Sequence, residues 1–235
     1  MKILMTILCF LISYQSYSQG WSETKKVTPS FRLGNDNFGN RVSISGDFAV
    51  VGSRYHDYDE NNTNYIVNAG AAYIYKKVNG EWNIFQKIVP QVRNKSDYFG
   101  YEVELQGELL IVGAIGDSRD SSGQLDVDYA GAAYIYKFSK SLNKWVQEDK
   151  IYCSDENDRD FFGISAAIHG DYAIIGKYKD KKDAFGKNSL NNAGAVYVYQ
   201  RDQLGNWNEV KKITPKGRDS LDFFGFDVDI SKSSS

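Results

Sequence analysis

The most apolar stretches of this chain carry hydrophobic residues on both faces of a strand. Ala49-Val50-Val51 leads into Gly52, and Ala71, Tyr73 and Tyr75 alternate with Ala72 and Ile74, which are themselves apolar. A sheet with one wet face would alternate apolar with polar positions, so these strands are expected to lie between two further layers. The surrounding pattern predicts strands over Phe38–Ser45, Phe48–Arg54, Gly70–Val78 and Glu81–Pro90. Between them fall a tight turn at Gly46-Asp47, a long loop over Tyr55–Ala69 and a hairpin at Asn79-Gly80.

The same pattern then returns. Phe38-Gly39, Phe99-Gly100, Phe162-Gly163 and Phe224-Gly225 are separated by 61, 63 and 62 residues. Within each copy the turn glycines Gly46, Gly107 and Gly170 follow the Phe-Gly glycine by 7 residues. Gly52, Gly113 and Gly176 come 6 later, and Gly70, Gly131 and Gly194 a further 18 later, each opening a Gly-Ala pair. Trp82, Trp145 and Trp207 precede the next Phe by 17 residues, so all variation in length falls in the hairpin before the tryptophan, where insertions are tolerated. The glycines at 52, 113 and 176 end the most apolar strand, where a close backbone approach or a bulge is expected.

A unit of this kind cannot bury its apolar strands alone and must stack on its neighbours. Four antiparallel strands per repeat predict an all-β chain, a β-propeller of four-stranded antiparallel blades. The register gives blade repeats at 37–96, 97–159 and 160–221 and an incomplete fourth at 222–235. Trp21 lies 17 residues before Phe38, and Trp21–Pro29 matches Trp207–Pro215, which predicts a leading outer strand. Phe226–Ile230 is expected as a trailing inner strand, with Lys232 standing where the turn glycine would fall. The expectation is therefore a partial propeller of three complete blades with one strand at each end.

Composition narrows the function classes. The chain is 42% hydrophobic and 25% charged, an ordinary globular balance, and its net charge of −2 offers no basic surface for nucleic acid. Lys2, the apolar run Ile3–Ile12 and the polar residues Ser13–Ser18 read as a cleaved secretory signal over 1–18, leaving 19–235 as the exported, extracellular or cell-surface domain. That run is too short to span a bilayer, which takes about 20 apolar residues. Cys9 falls inside the signal, so Cys153 has no intramolecular disulfide partner and is expected as a half-buried thiol.

The repeat resembles the FG-GAP repeats of integrin α-subunit propellers and, more closely, those of FG-GAP proteins exported by bacteria. The resemblance rests on Phe38-Gly39, Val50-Val51-Gly52-Ser53, Gly70-Ala71-Ala72-Tyr73-Ile74-Tyr75 and Trp82. The second copy, with Val112-Gly113-Ala114, is nearer the family pattern, and the third has Gly176-Lys177. It implies a propeller, usually seven-bladed, acting in extracellular binding or adhesion. Many integrin-type blades also carry an Asp-x-Asp-x-Asp-Gly calcium loop between the first two strands. Here that position holds only short turns, Ser45–Asp47, Gln106–Glu108 and His169–Asp171, so the family's metal sites do not carry over.

Candidate chemistry is confined to the long loops. Asp57, Asp59 and Asn61 have the alternate spacing that opens a calcium loop, without its glycine, and are the weak metal candidates; no other cofactor is expected. The other loop carboxylates, Asp117, Asp120, Asp126, Asp128, Asp180 and Asp183, read as a solvated acidic surface. Tyr55, Tyr58, Tyr65 and Tyr129 invite stacking on a carbohydrate, whereas Tyr73, Tyr75, Tyr134, Tyr136, Tyr197 and Tyr199 read as blade packing. The expectation is a non-catalytic module that binds extracellular protein or glycan through its loops, with open blade edges available for self-association. Two alternatives stand beside it. One is a truncated fragment of a longer seven-bladed propeller with no independent function; the other is an extracellular hydrolase or lyase whose loop-built site would draw on His56, Asp57, Asp117 and Asp180.

Overall fold

Twelve strands arise where the apolar pattern places them and form three antiparallel sheets. The computed structural model describes residues 34–119, 127–155 and 159–231, together with positions 23, 25–29, 31 and 157. The signal expected over residues 1–18, and Trp21, Asp120, Asp126 and Lys232, lie outside the described residues. Blade I holds β1 (Phe38–Ser45), β2 (Phe48–Ser53), β3 (Ala71–Val78) and β4 (Glu81–Ile88). Blade II holds β5 (Phe99–Gln106), β6 (Leu109–Ala114), β7 (Ala132–Ser139) and β8 (Lys144–Ile151), and blade III holds β9 (Ala166–His169), β10 (Tyr172–Lys177), β11 (Ala195–Arg201) and β12 (Trp207–Ile213). Strands pair in chain order within each blade, the meander of a propeller blade.

The hydrophobic cores lie between blades. One joins Val50, Ala72 and Ile74 of blade I to Phe99, Val112, Tyr134 and Trp145 of blade II. A second joins Ile111, Ala133 and Ile135 of blade II to Phe162, Ile175, Tyr197 and Trp207 of blade III, and it buries Cys153 more fully than the half-buried thiol expected. In blade II both faces of the central strands are thereby covered by neighbouring blades, which explains their unbroken hydrophobicity; blades I and III each pack on a neighbouring blade through one face. The outer face of blade I forms a third cluster, Val51, Tyr73 and Tyr75, against which Val27, Trp82 and Val89 pack.

The repeat signature marks the joints between these layers. Phe99 N donates to Ala69 O at 3.0 Å, and the step repeats as Phe162 N to Ala130 O at 2.8 Å and Phe224 N to Ala193 O at 3.0 Å. Each Phe-Gly thus bridges in parallel to the Gly-Ala of the preceding blade. Gly113 shows why no side chain is allowed there: an added Cβ would lie 2.1 Å from the Gly163 carbonyl oxygen of the next blade. Gly163 itself has φ +85°, open to glycine at little cost. The close approach expected at the glycines is real, and it is an approach between blades.

Three details differ from expectation. β9 begins at Ala166 because Ser165 turns into the joint, its hydroxyl donating to Gly225 O at 2.8 Å and its carbonyl accepting from Gly176 N at 2.9 Å. Residues 226–230 form no strand: after the isolated Gly194–Phe224 bridge no described strand runs beside them to complete a ladder. Lys25–Pro29 is likewise without strand pairing, although Lys25 reaches Glu81 at 2.8 Å and Val27 packs on blade I.

Candidate functional site

The β2–β3, β6–β7 and β10–β11 loops fold around buried polar networks built at equivalent positions of each blade. In blade II, Asp117, four residues after Gly113, is fully buried. Its carboxylate accepts from Tyr134 Oη at 2.7 Å and pairs with Lys150 at 2.7 Å and Arg119 at 2.9 Å. Asp97, two residues before Phe99, lies against the same guanidinium at 3.3 Å. In blade III, Asp180 takes the place of Asp117, with Tyr197 Oη at 2.5 Å and Lys212 at 2.8 Å. Lys177 is also fully buried there, 2.9 Å from Asp160 and 3.1 Å from Asp155. Charges removed from water are tolerable only when paired in this way.

The electrostatics follow from that burial. Burial, and then the Asp117 charge, push the Asp97 carboxyl up to about 7. Burial would raise Asp117 as well, but Lys150 and Arg119 hold it below the ordinary carboxylate range. Burial pulls Lys177 down, yet Cys153 and the carboxylates of Asp160, Asp180 and Asp155 leave it above the usual lysine value.

Blade I carries one exchange in this network, and the network rewires around it. His56 stands where Asp117 and Asp180 stand, with Nδ1 3.1 Å from Asp36 and Nε2 3.5 Å from Tyr73 Oη. Lys87, the counterpart of Lys150 and Lys212, turns instead to Asp59 O at 2.5 Å and Asn62 Oδ1 at 2.8 Å. Burial, and then the neighbouring Lys87 charge, lower the pKa of His56.

The solvated reading of Asp117 and Asp180 is therefore overturned: each side chain is wholly inaccessible and ion-paired. The loops do share a pattern, an Asp or His four residues and an Asp seven residues after the strand-end glycine, as His56 and Asp59, Asp117 and Asp120, and Asp180 and Asp183. The packing tyrosines do more than pack. Tyr134 and Tyr197 stack edge-on against Phe99 and Phe162 at 5.2 and 5.7 Å while their hydroxyls serve the carboxylates. Asp36, Asp97 and Asp160, and Lys87, Lys150 and Lys212, were legible as fixed positions, two before each Phe and five after each Trp.

The calcium candidates are engaged in turns. Asp59 accepts from Asn61 N at 3.2 Å, Thr63 N at 2.8 Å and Thr63 Oγ1 at 2.9 Å, and the Thr63 amide leads in lowering its pKa to about 2. Asp57 accepts from Asn68 N at 2.7 Å, and Asn61 is exposed. Asp183 repeats the turn with Phe185 N at 2.9 Å and Lys187 N at 2.8 Å. No group of three acidic, histidine or cysteine side chains among the described residues could hold a metal ion. His56, Asp117 and Asp180, nominated for a hydrolytic site, sit in three different blades, each within its own network.

The aromatic loop residues divide into two groups. Tyr58 and Tyr65 stack at 5.2 Å, with Phe31 5.3 Å from Tyr58. Tyr55 and Tyr129 belong instead to an arc that crosses all three blades. Tyr55 lies 5.6 Å from Tyr98, Tyr98 6.1 Å from Tyr129, Tyr129 5.6 Å from Phe161, and Phe161 5.8 Å from Tyr178. Phe223 and Phe226 extend it at 5.7 and 5.6 Å from Tyr178. Tyr98, Phe161 and Phe223 each precede a Phe-Gly, and each has positive φ, between 52° and 58°. The joints thus set the arc.

Stacked meander blades locked through Phe-Gly and Gly-Ala pairs define a propeller-type repeat protein. The family model of the FG-GAP repeat matches residues 21–75, 82–136 and 145–199, and the chain belongs to that family. No curated protein matches it. Among solved structures it is similar to Saccharomyces cerevisiae Sqt1, at 10% identity and a TM-score of 0.44 over 79% of this chain; it spans 38% of that structure's length. No helix among the described residues is long and apolar enough to cross a membrane.

Proposed function

We propose that the chain is an exported, non-catalytic binding module that presents its long loops to an extracellular protein or glycan. The observation that carries this reading is the division of labour within each loop. Carboxylates such as Asp117 and Asp180 are locked inside as ion pairs, while the aromatic arc from Tyr55 to Phe226 lies partly open across the blades. Loops held on rigid strands are where binding residues concentrate. Family membership supports the reading, since FG-GAP domains often bind extracellular ligands, and Lys2 with Ile3–Ile12 supports export.

Two measurements test it. Expression in a secreting host should yield a mature N-terminus near residue 19; an intact Met1 on protein retained in the cytoplasm refutes export. A screen against extracellular proteins and glycans should find a ligand whose retention drops when loop 55–69, 115–130 or 178–193 is shortened. Ligand retention indifferent to all three loops refutes the binding face.

A further inference from the structure

We propose that the arc is a platform for an acidic polysaccharide, a chain of uronate-type sugars lying across the blades; this rests on the binding-module reading above. The first argument is shape. Each step between neighbouring rings is 5.6–6.1 Å from Tyr55 to Tyr178, with successive rings tilted 42–69° to one another, so the row offers ring faces and edges in turn along a path several sugar rings long. A protein partner would want a deep pocket for a buried anchor. Among the described residues the arc is a row of half-buried rings ending in Phe226, 55% exposed.

Charge supplies the second argument. The Arg54 guanidinium lies 4.7 Å from the Tyr55 ring centre and 4.9 Å from that of Tyr101, and its Nε is buried with no hydrogen-bond partner. Lys179 lies 4.5 Å from the Phe161 ring and 5.4 Å from Tyr178. Neither cation has a carboxylate at ion-pair distance among the described residues. Of the acids beside arc residues, Glu102 is engaged by Arg41 at 2.9 Å and Asp128 by Arg159 at 3.0 Å, while Asp227, next to Phe226, is exposed and its charge acts on Arg41 and Glu102. Beside Arg54 a polar cleft of about 230 Å³ is lined by Asn37, Asn40, Arg41 and Tyr101; the Asn40 amide donates to Gly100 O and Tyr101 O and Arg41 is paired with Glu102, which leaves the Arg54 guanidinium as the cation there without a carboxylate partner.

Two cations in different blades, neither with a carboxylate at ion-pair distance among the described residues and joined by a row of rings, fit a ligand that repeats its negative charge along its length. Sugar faces stack on the rings, and uronate carboxylates meet Arg54 and Lys179. The rings supply contact area at low entropic cost because each has only two side-chain torsions to fix.

The test uses the full chain on immobilised polygalacturonate and alginate, with methyl-esterified polygalacturonate as the same backbone without charge. Retention on both acidic polymers, released by salt and weak on the ester, is expected. Tyr98→Ala should weaken it about tenfold. Phe226→Ala, at an exposed position where folding is not at issue, should also weaken it. Arg54→Gln and Lys179→Gln should each weaken binding and flatten its salt dependence. No retention on either polymer at low ionic strength overturns the proposal, as does wild-type retention in the ring variants. If a protein ligand is nevertheless held in a loop-dependent way, the platform fails while the binding module stands.

Discussion

Asp97, although it lies against Arg119, holds its proton up to about neutral pH. Burial beside Asp117 raises it to about 7 from an ordinary 3.8, so the folded state binds a proton that the unfolded chain releases. That contribution to stability is complete below about pH 4 and is lost as pH rises through 7. Asp97→Asn should remove its share of the dependence: the fall in urea midpoint from pH 5 to pH 8 should be smaller in the variant, which should match or exceed the wild type at pH 8. A variant that keeps the wild-type slope assigns the titration to another group. His56 works in the opposite sense, because its lowered pKa favours the neutral ring and its contribution fades as pH falls through the usual histidine range. His56→Asp restores the residue found at Asp117 and Asp180 and offers Lys87 a carboxylate. It should cost less than His56→Leu, which strips Asp36 and Tyr73 of the imidazole at about 1–3 kcal/mol, as thermal unfolding of the two variants would show. These networks were only half legible in the sequence. Asp117 and Asp180 stood in hydrophilic loops, and loop composition says nothing about whether a chain folds back over its own carboxylates. The fixed spacing of Lys150 and Lys212 after the tryptophans was the signal available.

The strands read more easily than the side-chain networks because hydrophobic periodicity reports burial directly. β1 was predicted to the residue, and β2, β3 and β4 to within two, with Gly46 and Asn79-Gly80 as punctuation. The exceptions, residues 25–29 and 226–230, have strand-like patterns but no ladder partner among the described residues. A pattern encodes the preference, and a neighbour supplies the hydrogen bonds. Burial also separates repeats that look alike in sequence. Trp145 is 2% exposed and wedged against Phe48 and Phe138 at 5.3 and 5.6 Å, whereas its equivalent Trp82 is half-buried against Val27 and Val89. Trp145→Ala should therefore cost about 3–5 kcal/mol, the usual range for emptying a buried aromatic site. Trp82→Ala should cost less. Chemical denaturation of the two variants checks the order, and equal losses would mean that the first blade is covered as completely as the second.

At the scale of the molecule, the repeat signature is a device for joining blades. Phe162-Gly163 seats on Gly113 and on the Gly131-Ala132 pair, so blades II and III share backbone contact as well as the second core. Stability in such an array is a sum of blade terms and nearest-neighbour interfaces. A substitution at a joint should then weaken the coupling before it harms either blade. Gly113→Ala drives a Cβ to 2.1 Å from the Gly163 oxygen, a backbone atom that cannot swing aside, so the blades must separate. Gly46→Ala is the matched control: its Cβ meets nothing within 4 Å, and the cost at φ +58° is confined to the turn, about 1–2 kcal/mol. Native-state hydrogen exchange separates the two cases. In Gly113→Ala, amides of β10 and β11 should lose protection in advance of those in β2 and β3, while Gly46→Ala should lower protection across the array by one common amount. Uniform loss in Gly113→Ala would show that the interfaces dominate so far that no blade opens alone. The arc crosses that same joint between Tyr129 and Phe161, so its alignment depends on the seating of Phe162-Gly163. A chain with a loosened joint should lose ligand retention even with every arc residue intact.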